Sequence, residues 1–396
     1  MAPVNKTSLQ KFSELDGLRG IAVLMVMAFH IFNRAPGYLI DNQTFIITLN
    51  KIAQIGWAGV DIFFVLSGFL ITSILLNTKN TPHYFKNFYA RRILRISPLY
   101  FLVIGAILIF LPFITPHANV HGGQASWPYF LFSLQNWLVI HALKLGVYPT
   151  PANPLWSLAI EEQFYLIWPM LVFFISRRKL VFLTIAILVG SLIFRLLFVQ
   201  LAGMSRDTAP FLYFSSITRL DGFAVGALLA IAYQSEHWKR IFARYSWLLL
   251  IVVLPVIAAI MIYSRNTNPL QIDYYLNTWG YSLIALAAGA ILVILTTGSS
   301  ETIPRRFFRN DALSFFGKYS YAMYLLHFPI MLMVLNMDFA RHRGEQSWFI
   351  FVFLTFGLTI LGSLLTWNLL EKPMLKLKKY FEYETVDIQA QNPETK

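Results

Sequence analysis

Apolar runs of about twenty residues recur along the whole chain, at roughly 19–34, 57–76, 97–114, 155–175, 180–200, 211–233, 247–263, 275–296, 313–336 and 347–369. Each is long enough to cross a hydrocarbon layer of about 30 Å as a helix. In lipid the backbone must satisfy its own hydrogen bonds, which leaves helices or closed barrels. Continuous apolar runs, without the alternation of a barrel strand, select helices. With 57% hydrophobic and 13% charged residues spread from end to end, the chain reads as an all-α polytopic membrane protein without a separate soluble domain. The first run opens at Ile21 behind Lys6, Lys11 and Arg19, lacks a small-residue cleavage site and closes on His30 and Asn33, so it reads as a retained helix.

Basic loops set the expected topology. They lie before residue 19, at Lys79 to Arg95, at Arg177-Arg178-Lys179, at Lys239 to Arg244, at Arg305 to Arg309 and after Glu371. A shorter run at 127–141 decides their sidedness. If it is re-entrant or interfacial, every cluster falls on the cytoplasmic side, giving about ten transmembrane helices and both termini inside. Arg341-His342-Arg343 is then the exception, on the outside. Residues 1–375 form the membrane domain in this reading, and 376–396 a polar cytoplasmic tail. The net charge of +13 follows mainly from this topology rule, with docking of an anionic cofactor or lipid headgroup as the second reading. Charge divided among short loops speaks against nucleic acid. The absence of cysteine excludes disulfides, thiolate metal sites and Cys nucleophiles, and no metal-ligand cluster, phosphate loop or nucleophile elbow is present.

Ionisable residues inside membrane helices are costly and mark function by default. Arg19 and His30 stand eleven residues apart, within about 20° of one another on one helix face and about 16 Å apart along the axis. Asp16 falls near that face. Ser157 and Glu161 share a face at the start of a later span, where a helix-capping role competes with a site role for Ser157. Adjacent Glu161 and Glu162 exceed what capping needs. Arg91, Arg92 and Arg95 open the third span, either as a topology anchor or as a clamp for phosphate oxygens, for which coenzyme A, a nucleotide or a phospholipid would suit. Asp61 lies in a small-residue segment. Arg219 and Asp221 read as an internal ion pair beside a close helix contact at Gly222 and Gly226. Ser320, Tyr324 and His327 recur one turn apart.

In this order, the motifs Leu15-Asp16-Gly17-Leu18-Arg19-Gly20 with His30, Gly59-Val60-Asp61-Ile62-Phe63-Phe64-Val65-Leu66-Ser67-Gly68-Phe69, Arg92 with Arg95, Ser157-Leu158 with Glu161, Arg219 with Asp221-Gly222, and Ser320-Tyr321 with Tyr324, His327 and Pro329 resemble the acyltransferase-3 family of bacterial inner-membrane O-acyltransferases. The resemblance covers about residues 14 to 373. It implies transfer of an acyl group, usually acetyl, from cytoplasmic acetyl-CoA or another acyl-CoA to a sugar hydroxyl of a glycan or glycolipid, such as lipopolysaccharide O-antigen or exopolysaccharide. It also implies a stand-alone form without the esterase-like SGNH domain of some members.

By analogy His30 is the catalytic base, and Glu161 holds its tautomer or positions the acceptor, with Asp16 beside them. Arg19, Arg91, Arg92 and Arg95 serve the donor, and Asp61, Ser157, Arg219, Asp221, Ser320, Tyr324 and His327 form a substrate-binding or structural polar network. No metal is expected. A secondary transporter or flippase for an anionic or glycan-linked substrate is the competing class, because intramembrane charges and central cavities occur there too.

Overall fold

The computed structural model describes residues 13–34, 44–114, 127–144, 152–205, 207–264, 273–298, 302–337 and 345–383. Its helices are α1 Ser13–Arg34, α2 Thr44–Ala53, α3 Gly59–Thr78, α4 Tyr84–Ile114, α5 Trp127–Leu131, α6 Gln135–Lys144, α7 Trp156–Phe174, α8 Arg177–Ala202, α9 Thr208–Phe214, α10 Leu220–Ala232, α11 Glu236–Ser264, α12 Tyr281–Thr297, α13 Ile303–Phe308, α14 Asp311–Leu335, α15 Glu345–Thr366 and α16 Lys372–Lys376. Among the described residues no strand occurs. Among the described residues eight helices are long and apolar enough to cross a membrane, or nine if the pair α9 and α10, bent by 65°, counts as one span. The protein is a multi-pass membrane protein.

All ten expected apolar runs are helical. α14 has 25 residues, ample length for a bilayer, but Lys318, Tyr319, Ser320, Tyr321, Tyr324 and His327 make it too polar to count among the eight. The run at 127–141 is broken into α5 and α6, of 5 and 10 residues, and neither can span.

Small residues set the inner packing. A Cβ on Gly317 would lie 1.7 Å from the Asp16 carbonyl oxygen, and one on Gly20 would lie 2.2 Å from that of Leu313. The backbones of α1 and α14 therefore touch, as membrane helices do when only a hydrogen separates them. The same device joins α3 to α10, where a Cβ on Gly226 would meet the Val65 carbonyl at 2.1 Å and one on Gly68 that of Phe223 at 2.2 Å, in keeping with the contact expected at Gly226. α3, α10 and α12 are buried nearly all round, whereas α8, α11 and α15 expose apolar faces, as expected of an inner bundle and its lipid-facing shell.

The kink between α9 and α10 frees carbonyls that lipid cannot solvate. Polar side chains satisfy them: Asn136 donates to Phe214 O (3.2 Å), Ser191 to Ile217 O (3.0 Å), and Arg195 to Thr218 O. Arg195 also donates to Thr278 O (2.8 Å), at the wide turn that precedes α12. Its remaining nitrogen pairs with Asp221 at 2.9 Å.

Basic segments expected on one side meet in pairs. Arg305 and Arg309 both bind Glu14 at 2.7 Å, Lys79 donates to Ile175 O (3.0 Å) and Arg177 to Ile231 O (2.9 Å). The start of the expected tail is ordered: residues 377–381 form a further helical turn, and Asn87 of α4 donates to Glu382 O (2.9 Å). Residues 384–396 and Arg341-His342-Arg343 lie outside the described residues.

Candidate active site

A cavity of about 260 Å³ lies between α1, α3, α4, α7 and α14. The α1–α14 contact carries Arg19 to one wall and Ser320, Tyr321 and Tyr324 to another. α4 contributes Arg92 and Arg95, and α7 Ser157 and Glu161. Three guanidiniums thus face one carboxylate. Arg19 is partly offset by Asp16, 2.7 Å away one turn earlier, so Asp16 acts on the cavity through Arg19. Among the described residues neither Arg92 nor Arg95 forms an ion pair. Arg92 lies over the rings of Tyr165 (5.7 Å) and Phe88 (5.6 Å), a seating that fixes the guanidinium without neutralising it.

Glu161 is held by side chains that sequence reasoning did not assign. Ser67 of α3 donates to Oε1 (3.0 Å), Tyr165 donates to Oε2 (3.2 Å), and the Tyr165 hydroxyl also reaches Ser67 Oγ at 3.0 Å. Ser67 stands inside the Val65-Leu66-Ser67-Gly68 motif, and Tyr165 one turn after Glu161; both signals were in the sequence. Ser157 is not a helix cap. Its hydroxyl bonds Tyr324 OH, which also donates to Pro154 O at 2.6 Å. Ser320 lines the cavity and donates to Gly317 O (2.9 Å).

The imidazoles sit behind Tyr324, one turn further along α14. His327 is fully buried, and its Nδ1 lies 2.8 Å from Tyr324 O and 3.1 Å from Met323 O. Carbonyl oxygens only accept, so Nδ1 of His327 carries the proton and its Nε2 the lone pair. That lone pair faces Nδ1 of His30 at 3.0 Å. In the neutral pair His30 Nδ1 is therefore the donor, and the basic lone pair of His30 falls on Nε2. The expected partnership of Glu161 with His30 does not occur among the described contacts: His327 occupies that place, and Tyr324, which lines the chamber, has its ring 5.8 Å from that of His327.

Four expected residues, Arg91, Asp61, Arg219 and Asp221, are elsewhere. Arg91 leaves the cavity and donates to Lys378 O and Phe381 O (both 3.2 Å), with its guanidinium 5.7 Å from the Tyr383 ring; consecutive residues of a helix cannot share a face with Arg92. Arg219 and Asp221 do not pair with each other, for the same geometric reason. Arg219 binds Asp61 at 2.7 Å, and Asp221 binds Arg195. The Arg219 guanidinium lies 3.9 Å from the Tyr281 ring centre and 5.2 Å from that of Tyr213, so aromatic faces complete its surroundings. Arg195 went unnoticed in the sequence because it stands alone in an ordinary apolar helix. No group of residues suited to a metal ion occurs among the described residues.

The chain is similar in sequence to known O-acetyltransferases. The chain is 29% identical over 342 residues to the peptidoglycan O-acetyltransferase OatA of Listeria monocytogenes, covering 84% of this chain and 51% of that protein. It is 29% identical over 385 residues to the putative peptidoglycan O-acetyltransferase YrhL of Bacillus subtilis (91% and 54% covered), and 27% identical over 373 residues to the O-acetyltransferase OatA of Staphylococcus aureus (91% and 57%). The chain thus spans about half the length of these relatives. No solved structure matches it. The acyltransferase-domain family model covers residues 12–368, every side chain of the cavity and of the imidazole pair among them, and the chain belongs to this acyltransferase-3 family.

Proposed function

We propose that the protein is a membrane O-acetyltransferase that moves an acetyl group from a cytoplasmic acyl-CoA to a sugar hydroxyl of a cell-surface glycan. The observation that carries this reading is the succession, along α1 and α14, of an arginine-walled chamber, Tyr324 and the His30–His327 pair. The bacterial cytoplasmic membrane, with the clustered basic ends inside, is the location this reading assigns. Peptidoglycan, named for two relatives, joins lipopolysaccharide and exopolysaccharide as an acceptor class.

The donor fits the chemistry of the walls. Arg92 and Arg95, in no ion pair among the described residues, offer guanidiniums suited to phosphates, and Arg95 is exposed and lines the chamber. A volume of about 260 Å³ suits the slender acyl arm and leaves the nucleotide outside. The thioester supplies an activated acyl group. His30 accepts the hydroxyl proton at Nε2 as the hydroxyl oxygen bonds to the thioester carbonyl carbon, the C–S bond breaks, and the proton passes from His30 to the departing CoA thiolate, while His327 keeps the tautomer in place. A base aligned in this way is worth roughly 10²–10⁴ in rate. Glu161, with its fixed carboxylate, orients the acceptor, and the arginines offset negative charge that develops on the thioester oxygen.

The test is turnover of labelled acetyl-CoA by the purified chain in liposomes supplied with glycan. His30→Ala should abolish label transfer while leaving a folded protein. Near-normal transfer by that variant sinks the base assignment, and glycan movement without thioester loss favours a transporter.

A further inference from the structure

A second cavity, about 370 Å³, adjoins the first from the lipid side. It shares Arg92, Ile96 and Tyr165 with the chamber, so the two spaces meet at these side chains. Its rim is apolar and open: Ile93 is 58% exposed, Phe132 65% and Leu166 62%. Polar groups also line it: Ser97 of α4, the carboxylate of Glu162 and the guanidinium of Arg92.

The inner wall is a built feature. Ser133, at the turn between α5 and α6, has a φ of 52°, a left-handed conformation that a non-glycine residue adopts only when its surroundings hold it. Two neighbours hold it. The Ser133 hydroxyl donates to Glu162, and its carbonyl accepts from Gln163 at 2.7 Å. The α5–α6 hairpin is thereby pinned against α7 with Phe132 turned to the rim.

Hydrocarbon fills a hollow at a membrane surface but cannot solvate a carboxylate, a hydroxyl and a guanidinium. The occupant must therefore have an apolar tail for the rim and a polar head for the floor. Glu162 offsets the charge of Arg92, so the floor gives an anionic headgroup no net attraction; Glu162 accepts hydrogen bonds from hydroxyls, while Arg92 and Ser97 can donate to sugar oxygens. We propose that this lateral cavity binds the sugar head of a membrane glycolipid, presenting its hydroxyls beside the chamber. Its service as the acceptor's entrance rests on the acyl-transfer reading; the binding itself does not.

Native mass spectrometry of the full chain, with monoglucosyl-dioleoylglycerol and dioleoyl-phosphatidylglycerol as competing probes, tests the site. The wild type should retain the glucosyl lipid at least about tenfold better. Ser97→Phe, which fills the floor, and Leu166→Trp, which closes the rim, should each lose that preference while acetyl-CoA hydrolysis without acceptor stays within about twofold. Equal retention of both lipids by the wild type, or a preference that survives both substitutions, overturns the proposal. A sugar-lipid preference in a protein that never consumes acetyl-CoA would leave this site standing and remove the acyl-transfer reading alone.

Discussion

His327→Phe isolates the role of the second imidazole. Phenylalanine keeps a ring of similar size in a fully buried position beside Tyr324 and Phe328, but it offers no acceptor to His30 Nδ1, now 3.0 Å from His327 Nε2. A donor deprived of its partner costs about 1–3 kcal/mol where it is buried, and up to that at the partly buried His30, which is roughly 5- to 150-fold if the whole cost falls on the transition state. The loss grows toward about 10⁴ if the ring settles in the wrong tautomer. kcat should therefore fall by about 10² with KM for acetyl-CoA within about twofold, since His327 does not line the arginine-walled chamber. His327→Gln, whose amide oxygen can accept from His30, should recover part of the loss. With His30 as the base, acidification should inactivate the wild type, and the acid limb of its kcat/KM profile should move in His327→Phe, because the partner that sets the His30 tautomer is gone. Wild-type kcat and an unmoved acid limb in a folded His327→Phe protein would refute the positioning argument; a raised KM for acetyl-CoA at unchanged kcat would place His327 in donor binding instead.

Arg92→Ala with Arg95→Ala should raise the acetyl-CoA dissociation constant at least about tenfold and flatten its salt dependence, whereas Arg91→Ala should leave affinity intact and expose residues 378–383 to protease; equal effects of all three would return the arginines to a topology role. Gly317→Ala drives a methyl to within 1.7 Å of the Asp16 carbonyl oxygen, so α1 and α14 must separate, at a cost of about 1–3 kcal/mol or more; thermal unfolding of the purified protein should shift down by several degrees, and an unchanged midpoint would refute the close contact. Arg195→Met strands the buried Asp221 carboxylate and three acceptors around it, a loss of about 3–5 kcal/mol, read as a fall in folded yield that Asp221→Asn in the same chain should partly restore.

Periodicity was sufficient for the helices and for Arg19 and His30 on one face of α1, because local spacing fixes direction around a helix axis. It was also sufficient to set Ser320, Tyr324 and His327 on one face of α14. It misjudged the partners. Arg219 and Asp221 stand two residues apart, a separation that turns their side chains away from each other, and each meets its counter-charge on another helix, Asp61 on α3 and Arg195 on α8. Arg91 differs from Arg92 by one residue and about 100° of rotation, enough to send it to the C-terminal segment.

The sequence by itself determined a set of helices long and apolar enough for a membrane and, among its polar candidates, Arg19, Arg92, Arg95, Ser157, Glu161, Ser320 and Tyr324, which line the cavity, since length, apolarity and helical period are local properties. Tertiary structure alone decided who touches whom: the glycines of α1 and α14 let two backbones meet, and that contact sets His30 against His327 rather than Glu161. Pairing across 297 positions of chain depends on how helices pack, and no spacing within either helix encodes it.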